Sequence, residues 1–139
     1  MSPEAKIAIA GGAVIVMTVV VVAMKMMIRR APLRLKKSKF RREWKQLQAF
    51  CKDKTTWPDA LQRADKLLDK ALIKRGFKGK STGERIVAAQ RTFSDNDMLW
   101  FAHKLSRKTE ENPKLKLSEK DVKEALLSFA QALKDLNAL

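Results

Sequence analysis

One histidine, His103, and one cysteine, Cys51, are the side chains in this sequence best suited to proton transfer, thiol chemistry or soft-metal binding. One residue of each type is too few for the usual zinc sites, and a single cysteine excludes an intramolecular disulfide. Proton transfer by the imidazole would also need a positioned partner. Nearby sequence offers Asp95, Asp97 and Arg107. We interpret His103 as a partly buried, hydrogen-bonded residue and Cys51 as a small apolar packing residue.

The run Gly79-Lys80-Ser81-Thr82 matches the end of a phosphate-binding loop. That motif also requires a glycine five residues before Gly79, where this sequence has Lys74, and a hydrophobic strand ahead of it, which the sequence lacks. We therefore predict that the run is a connector whose serine caps the next helix.

Two acidic residues, Asp65 and Asp69, are spaced as neighbours on one face of a helix, as in a paired-carboxylate site. Lys66 and Lys70 interleave with them, a pattern more typical of a solvated helix face. The sequence thus offers no catalytic, cofactor-binding or metal-binding residues. We predict that the protein is not an enzyme and uses no cofactor.

The positive charge of the chain is concentrated near its N-terminus. The 139 residues include 30 Lys or Arg and 15 Asp or Glu, which gives a formal net charge of +15. The first 45 residues hold 11 basic and 2 acidic side chains (+9), which leaves 19 and 13 (+6) for the other 94. This gradient argues against a uniformly basic nucleic-acid-binding protein.

A long apolar segment lies near the N-terminus. Residues 7–24 contain no charged side chain, and apolar residues continue past Lys25 to residue 28. As a helix, residues 7–28 would be about 33 Å long, enough to cross a hydrocarbon core of about 30 Å. We predict an uncleaved transmembrane helix, preceded by a short extracytoplasmic N-terminus at residues 1–6. A cleaved signal peptide is the alternative, but its basic residues would precede the apolar segment.

Residues 29–37 form a basic juxtamembrane hinge, in which Pro32 interrupts helical hydrogen bonding. By the positive-inside rule the N-terminus is outside, and the protein is a single-pass protein of the cell membrane with residues 38–139 in the cytoplasm. We predict contact with the membrane surface and its anionic lipid headgroups by Arg29, Arg30, Arg34, Lys36, Lys37, Lys39, Arg41 and Arg42. The same residues also act as topology determinants, and RNA phosphate is the less favoured partner for them.

After residue 37 the apolar residues recur at spacings of three and four, without the alternation of a strand. The first helix has its apolar face at Phe40, Trp44, Leu47 and Cys51. Capping residues predict further helix starts at Thr56, Ser81, residues 94–97 and Ser118, and a helix end at Gly76. The sequence therefore predicts an all-α fold, with a cytoplasmic bundle of about five helices at residues 38–139.

Five short runs in the last 85 residues carry a resemblance to a known family. They are Trp57-Pro58-Asp59-Ala60, Ala64-Asp65-Lys66-Leu67-Leu68-Asp69, Lys78-Gly79-Lys80, Gly83-Glu84-Arg85 and Leu99-Trp100-Phe101-Ala102-His103-Lys104-Leu105. Together they resemble an uncharacterised helical domain family of membrane-anchored proteins from small-genome bacteria. That family is similar to the HEPN helical RNA-binding superfamily, whose active motif is an arginine and asparagine followed by a histidine.

This sequence departs from the resembled motif at the positions that would do the chemistry. The motif's arginine falls on Ser106 and its histidine on Glu111, and no histidine follows His103. Arg107 does not replace the group that would transfer a proton. The resemblance therefore implies a helical fold and argues against ribonuclease activity.

We predict a single-pass membrane protein that displays a non-catalytic helical interaction domain in the cytoplasm. A protein is the expected partner, although the sequence does not identify it. The alternative is a membrane-tethered RNA-binding or ribonuclease-like module, favoured by the resemblance and by the +6 charge of residues 46–139. A scaffold that acts directly on lipid through residues 34–42 is a third hypothesis.

Overall fold

A computed structural model describes residues 18–19 and 35–139 of the chain. Residues 35–139 fold into five α-helices, and this part of the chain contains no β-strand. The helices are α1 (Lys37–Gln48), α2 (Trp57–Lys74), α3 (Thr82–Ala88), α4 (Asn96–Glu111) and α5 (Glu119–Asp135). The predicted all-α bundle of about five helices is confirmed for these residues.

The predicted transmembrane helix at residues 7–28 lies outside the described residues, except for the helical Thr18 and Val19. Residues 1–6 and 29–34 lie outside them as well. Within the part of the chain that the structure describes, no helix has the length and apolar character needed to cross a membrane.

The core of the domain is formed by α2, α4 and α5, each of which packs against the other two. Their sequences place apolar residues every three or four positions, so one stripe of each helix faces inward. The largest fully buried side chain is Phe129 of α5, and Leu68 of α2 and Leu99 of α4 are also buried. Removing one such side chain from water contributes roughly 1.5–3 kcal/mol, so this three-helix contact is the main source of stability.

Two further helices, α1 and α3, pack on α2 from outside this core. The inner face of α1 contributes Phe40 and Leu47, which are buried two turns apart. The seven-residue helix α3 contributes Ile86. Among the described residues, the buried apolar side chains from Phe40 to Ala138 form one core cluster.

The connection between α1 and α2 differs from the prediction. α1 ends at Gln48 instead of continuing to Cys51, and two short 3-10 turns, Ala49–Cys51 and Lys54–Thr56, follow it. The indole Nε1 of Trp57 donates to the carbonyl oxygen of Cys51 at 2.8 Å. This bond satisfies a carbonyl that the tightened turn would otherwise leave unpaired.

α2 begins at Trp57 with Thr56 at the N-cap position, as predicted, but the Thr56 side chain does not make the expected capping hydrogen bond. Its hydroxyl donates to the carbonyl oxygen of Phe50 at 2.6 Å and to that of Asp53 at 3.0 Å. The Thr56 hydroxyl therefore bonds back to the preceding turn, and its oxygen accepts no hydrogen bond from the first backbone N–H groups of α2.

The other predicted helix boundaries are confirmed. Ser81, Asp95 and Ser118 each accept, at 3.1–3.2 Å, a hydrogen bond from the backbone N–H three residues later. Gly76 follows α2 with a φ of 85°, and the N–H of Phe77 donates to a carbonyl of the last turn at 3.1 Å. Glycine adopts this left-handed conformation without side-chain strain, which is why the helix ends here.

Candidate functional site: a histidine–aspartate pair beside an open cleft

His103 of α4 and Asp65 of α2 form a hydrogen-bonded pair. Nδ1 of His103 lies 2.8 Å from Oδ1 of Asp65, and the two side chains are only 10% and 9% exposed. Asp65 shares a stripe of α2 with Leu61 and Leu68, so the contact between α2 and α4 buries it. The partner of His103 is therefore on another helix and not in the neighbouring sequence.

The prediction that Asp65 and Asp69 form a solvated face is wrong. Asp69 is partly buried, and its Oδ1 lies 2.7 Å from Nη1 of Arg85 in α3. The interleaved Lys66 and Lys70 are exposed, as the pattern indicated. The acidic side of α2 thus bonds to two neighbouring helices, while its lysines face solvent.

Burial raises the pKa of the Asp65 carboxyl above its ordinary value of 3.8, because the carboxylate loses water that would stabilise its charge. The hydrogen bond and positive charge of His103 act in the opposite direction. The nearby carboxylates of Glu110 and Asp69 raise the pKa further. The carboxyl therefore depends on His103 for the stabilisation that water no longer provides.

The other ring nitrogen of His103, Nε2, faces the backbone of Gly83. A Cβ placed on Gly83 would lie 3.7 Å from Nε2 and 3.6 Å from the ring of Trp100. The Trp100 and His103 rings meet edge to face, with centroids 5.8 Å apart. Among the described residues only Asp65 hydrogen-bonds to the imidazole, so Nε2 is available to a ligand.

An open cleft of about 510 Å³ lies beside His103, between α2, α4 and the start of α3. Its cations are Lys66, Lys70 and Arg107, and its carboxylates are Asp65, Asp69 and Glu110. Ser81 and Thr82 add two hydroxyl groups. Within residues 35–139 no three His, Cys, Asp or Glu side chains are arranged to hold a metal ion. The cleft carries equal numbers of cationic and carboxylate side chains, together with hydroxyl groups that can form hydrogen bonds.

Cys51 is partly buried, and its Sγ donates to the carbonyl oxygen of Leu47 at 3.7 Å. Burial raises the pKa of the thiol, which lowers the fraction of reactive thiolate.

The run at residues 79–82 is the predicted connector, since Oγ of Ser81 accepts from the N–H of Glu84. The Glu84 carboxylate in turn accepts from the N–H of Lys80.

The two positions that correspond to the resembled RNA-cleaving motif do not line the cleft. Ser106 is fully buried in α4, and its Oγ has no hydrogen-bond partner within residues 35–139. Glu111 is exposed at the last residue of α4. Arg107 does line the cleft, with Nη1 3.8 Å from Oε2 of Glu110.

The residues predicted to contact the membrane surface lie on and before α1. Lys36, Lys39, Arg41 and Arg42 are exposed, Lys37 is partly buried, and Arg29, Arg30 and Arg34 lie outside the described residues. The opposite face of α1 is buried through Phe40 and Leu47. The helix therefore divides into an apolar face against α2 and a cationic outer face.

No family model, curated protein or solved structure matches the chain.

Proposed function

We propose that the chain is a single-pass membrane protein that holds a helical interaction domain at the cytoplasmic membrane surface. The observation that carries this proposal is that α1 is amphipathic, with one buried apolar face and one exposed cationic face. In the sequence, α1 follows the apolar segment and the basic hinge. Its exposed cations can meet anionic headgroups while Phe40 and Leu47 stay in the core. Each such cation contributes on the order of 1 kcal/mol before salt screening.

Vesicle binding tests this proposal. Residues 35–139 should bind vesicles that contain phosphatidylserine and leave neutral phosphatidylcholine vesicles unbound. An Arg41→Gln/Arg42→Gln variant should lose most of this binding. The control, Lys114→Gln/Lys116→Gln, removes the same charge from the exposed loop before α5 and should bind normally. Equal loss in both variants would mean that net charge, and not the face of α1, drives binding.

The partner-binding surface in this proposal is the outer face of α5. Leu127 is 61% exposed there, with grooves of about 440 and 240 Å³ on its two sides. Trp44 is one of the mostly apolar residues along the larger groove. The smaller groove is lined by Asp95, Glu124 and Asp135, with no basic side chain among its described residues. We expect a protein segment with an apolar anchor flanked by Lys or Arg.

An RNA-binding module tethered to the membrane is the second candidate, supported by the exposed cations of the cleft beside His103. RNA binding by residues 35–139, with an affinity that falls steeply as salt rises, would select this function. Binding to a cationic, apolar peptide that Leu127→Glu abolishes would select the protein-interaction function instead.

A further inference from the structure

A basic pocket of about 330 Å³ lies where the loop between α4 and α5 meets the start of α2. Its charged lining side chains are all cationic: Lys54, Lys114 and Lys116. The three lysines are exposed, and none of them forms an ion pair within residues 35–139. The lining of this pocket therefore carries a net positive charge.

The rest of the basic pocket is mainly apolar. Its apolar lining consists of Trp57, Pro58, Pro113, Leu115 and Leu117. Leu117 also packs against the core, which fixes the loop on the bundle. An apolar recess beside cations fits an apolar side chain that has carboxylates as its neighbours.

The outer face of α5 presents an apolar side chain of this kind, Leu127, which is 61% exposed. The smaller groove beside it is lined by Asp95, Glu124 and Asp135. Asp95 and Asp135 accept hydrogen bonds from uncharged groups only. None of the three carboxylates forms an ion pair within the described part of the chain, so all three are free to pair with cations of a second molecule.

These two surfaces cannot meet within one molecule. Leu127 is in the middle of α5, about 12 Å along the axis from the first residue of the helix, Glu119. The acidic groove continues away from the pocket to Asp135, whose carboxylate accepts from the N–H of Ser94, just before α4, at 2.8 Å. Since α5 is fixed in the core, a contact between the two surfaces requires a second molecule.

We propose that the basic pocket of one copy of this chain receives Leu127 of a second copy. The carboxylates beside that leucine then face the lysines of the pocket. This inference rests on the proposed interaction function of α5 and identifies its partner. The loop at residues 113–117 has the expected composition, because Leu115 lies between Lys114 and Lys116.

The two contacting surfaces differ, so the contact is head-to-tail and leaves one surface free on each terminal copy. It can therefore extend into a row of copies. The contact is also small, and small interfaces are weak between freely diffusing domains. A shared membrane surface strengthens such a contact, because anchoring raises the effective concentration of the domains.

Energy transfer between copies tests this proposal. We would place the full chain, with a donor or acceptor dye at its N-terminus, in phosphatidylcholine vesicles. The unaltered chain should show more energy transfer than randomly distributed copies do. Salt at about 1 M, where the Debye length is about 3 Å, should lower it.

Leu127→Glu and Lys114→Glu/Lys116→Glu should each reduce energy transfer to the random level. Both changes are made at exposed side chains. Val87→Glu is the matched control, because Val87 is an apolar residue of α3 that is 50% exposed and lines neither surface. Its energy transfer should equal that of the unaltered chain.

A mixture of the two defective variants tests the head-to-tail geometry. Leu127→Glu keeps the basic pocket, and Lys114→Glu/Lys116→Glu keeps the acidic face of α5. With the donor on one variant and the acceptor on the other, energy transfer should return, because the intact surfaces can still pair. In the vesicle-binding test, where lipid is in large excess and copies rarely meet, Lys114→Gln/Lys116→Gln should still bind normally.

Circular dichroism must first show that each variant keeps its helix content. The proposal is overturned if the unaltered chain shows only random energy transfer, if the two variants keep it, if Val87→Glu loses as much as Leu127→Glu, or if the mixture does not recover. The proposed interaction function has its own readout, which is binding of a cationic, apolar peptide that Leu127→Glu abolishes. Peptide binding without self-association would keep that function and overturn this inference alone.

Discussion

Nδ1 of His103 lies 2.8 Å from Oδ1 of Asp65, although 38 residues separate the two side chains in the sequence. Each occupies a position in the α2–α4 contact where its neighbours, Leu61, Leu68 and Leu99, are apolar. A buried ionisable pair of this kind adds little net stability over two apolar residues, but removing one partner leaves a buried charge uncompensated.

His103→Leu should therefore destabilise the domain by about 3–5 kcal/mol near neutral pH. The double variant Asp65→Leu/His103→Leu should recover most of this loss. Urea unfolding of the two single variants and the double variant measures the coupling. Additive losses would show that the pair is not energetically linked.

The destabilisation by His103→Leu should also depend on pH, through Asp65. The folded-state pKa of Asp65 is already raised by burial, so the folded state binds the proton more tightly than the unfolded state. Stability must then fall as pH rises from the unfolded pKa through the raised folded pKa. The free energy of unfolding of His103→Leu, measured from pH 3 upward, should show this fall. The fall should be absent in the Asp65→Leu/His103→Leu variant.

Asp135 should show the opposite dependence on pH. Burial raises the pKa of the Asp135 carboxyl, but three hydrogen bonds to the carboxylate outweigh that effect and lower the pKa below 3.8. The donors are the N–H of Ser94 at 2.8 Å, the hydroxyl of Ser94 at 2.7 Å and the side-chain amide of Gln131. This contribution to stability is complete above the unfolded pKa and is lost as pH falls through the lowered folded pKa. The stability advantage of the natural chain over Asp135→Asn should therefore disappear in acid.

Two neighbouring residues of α5 should respond very differently to truncation. Phe129→Ala should cost about 3–5 kcal/mol, because the ring is fully buried. Leu127→Ala should change the free energy of unfolding by no more than about 0.5 kcal/mol, because the side chain is 61% exposed. Denaturant titration of both variants measures the difference, and similar losses would contradict the burial pattern.

On topology, a reporter that is active only in the cytoplasm should work when fused after Leu139 and fail when fused before Ser2. The charge distribution on either side of residues 7–28 is the reason. The reverse pattern would contradict the proposed orientation. A mature N-terminus near Ala31 would instead indicate a cleaved signal peptide.

We also expect that the purified protein does not cleave RNA, with or without divalent metal. The resembled motif would need an arginine at Ser106 and a histidine at Glu111. Cleavage that is abolished by His103→Ala in a folded variant would contradict this prediction and assign proton transfer to His103.

Local signals predicted most of the fold, because caps and apolar spacing act within a few residues. Ser81, Asp95 and Ser118 begin helices as expected, and Gly76 ends one. The Asp65–His103 pair was missed because it depends on how two helices align, which no local pattern fixes. A signal was nevertheless present, since Asp65 interrupts an otherwise apolar stripe of α2. Thr56 marks the start of α2 as predicted, but its hydroxyl bonds to the Phe50 carbonyl of the preceding turn, which no local pattern indicated.

The placement of α1 has a mechanical consequence. α1 is the first helix of the described domain, and it joins the bundle through α2 and the turns between them. Tension applied from the N-terminal side would therefore load Phe40 and Leu47 before it reached the α2–α4–α5 core. We expect α1 to detach first in a pulling experiment and to lengthen the tether while the rest of the bundle stays folded.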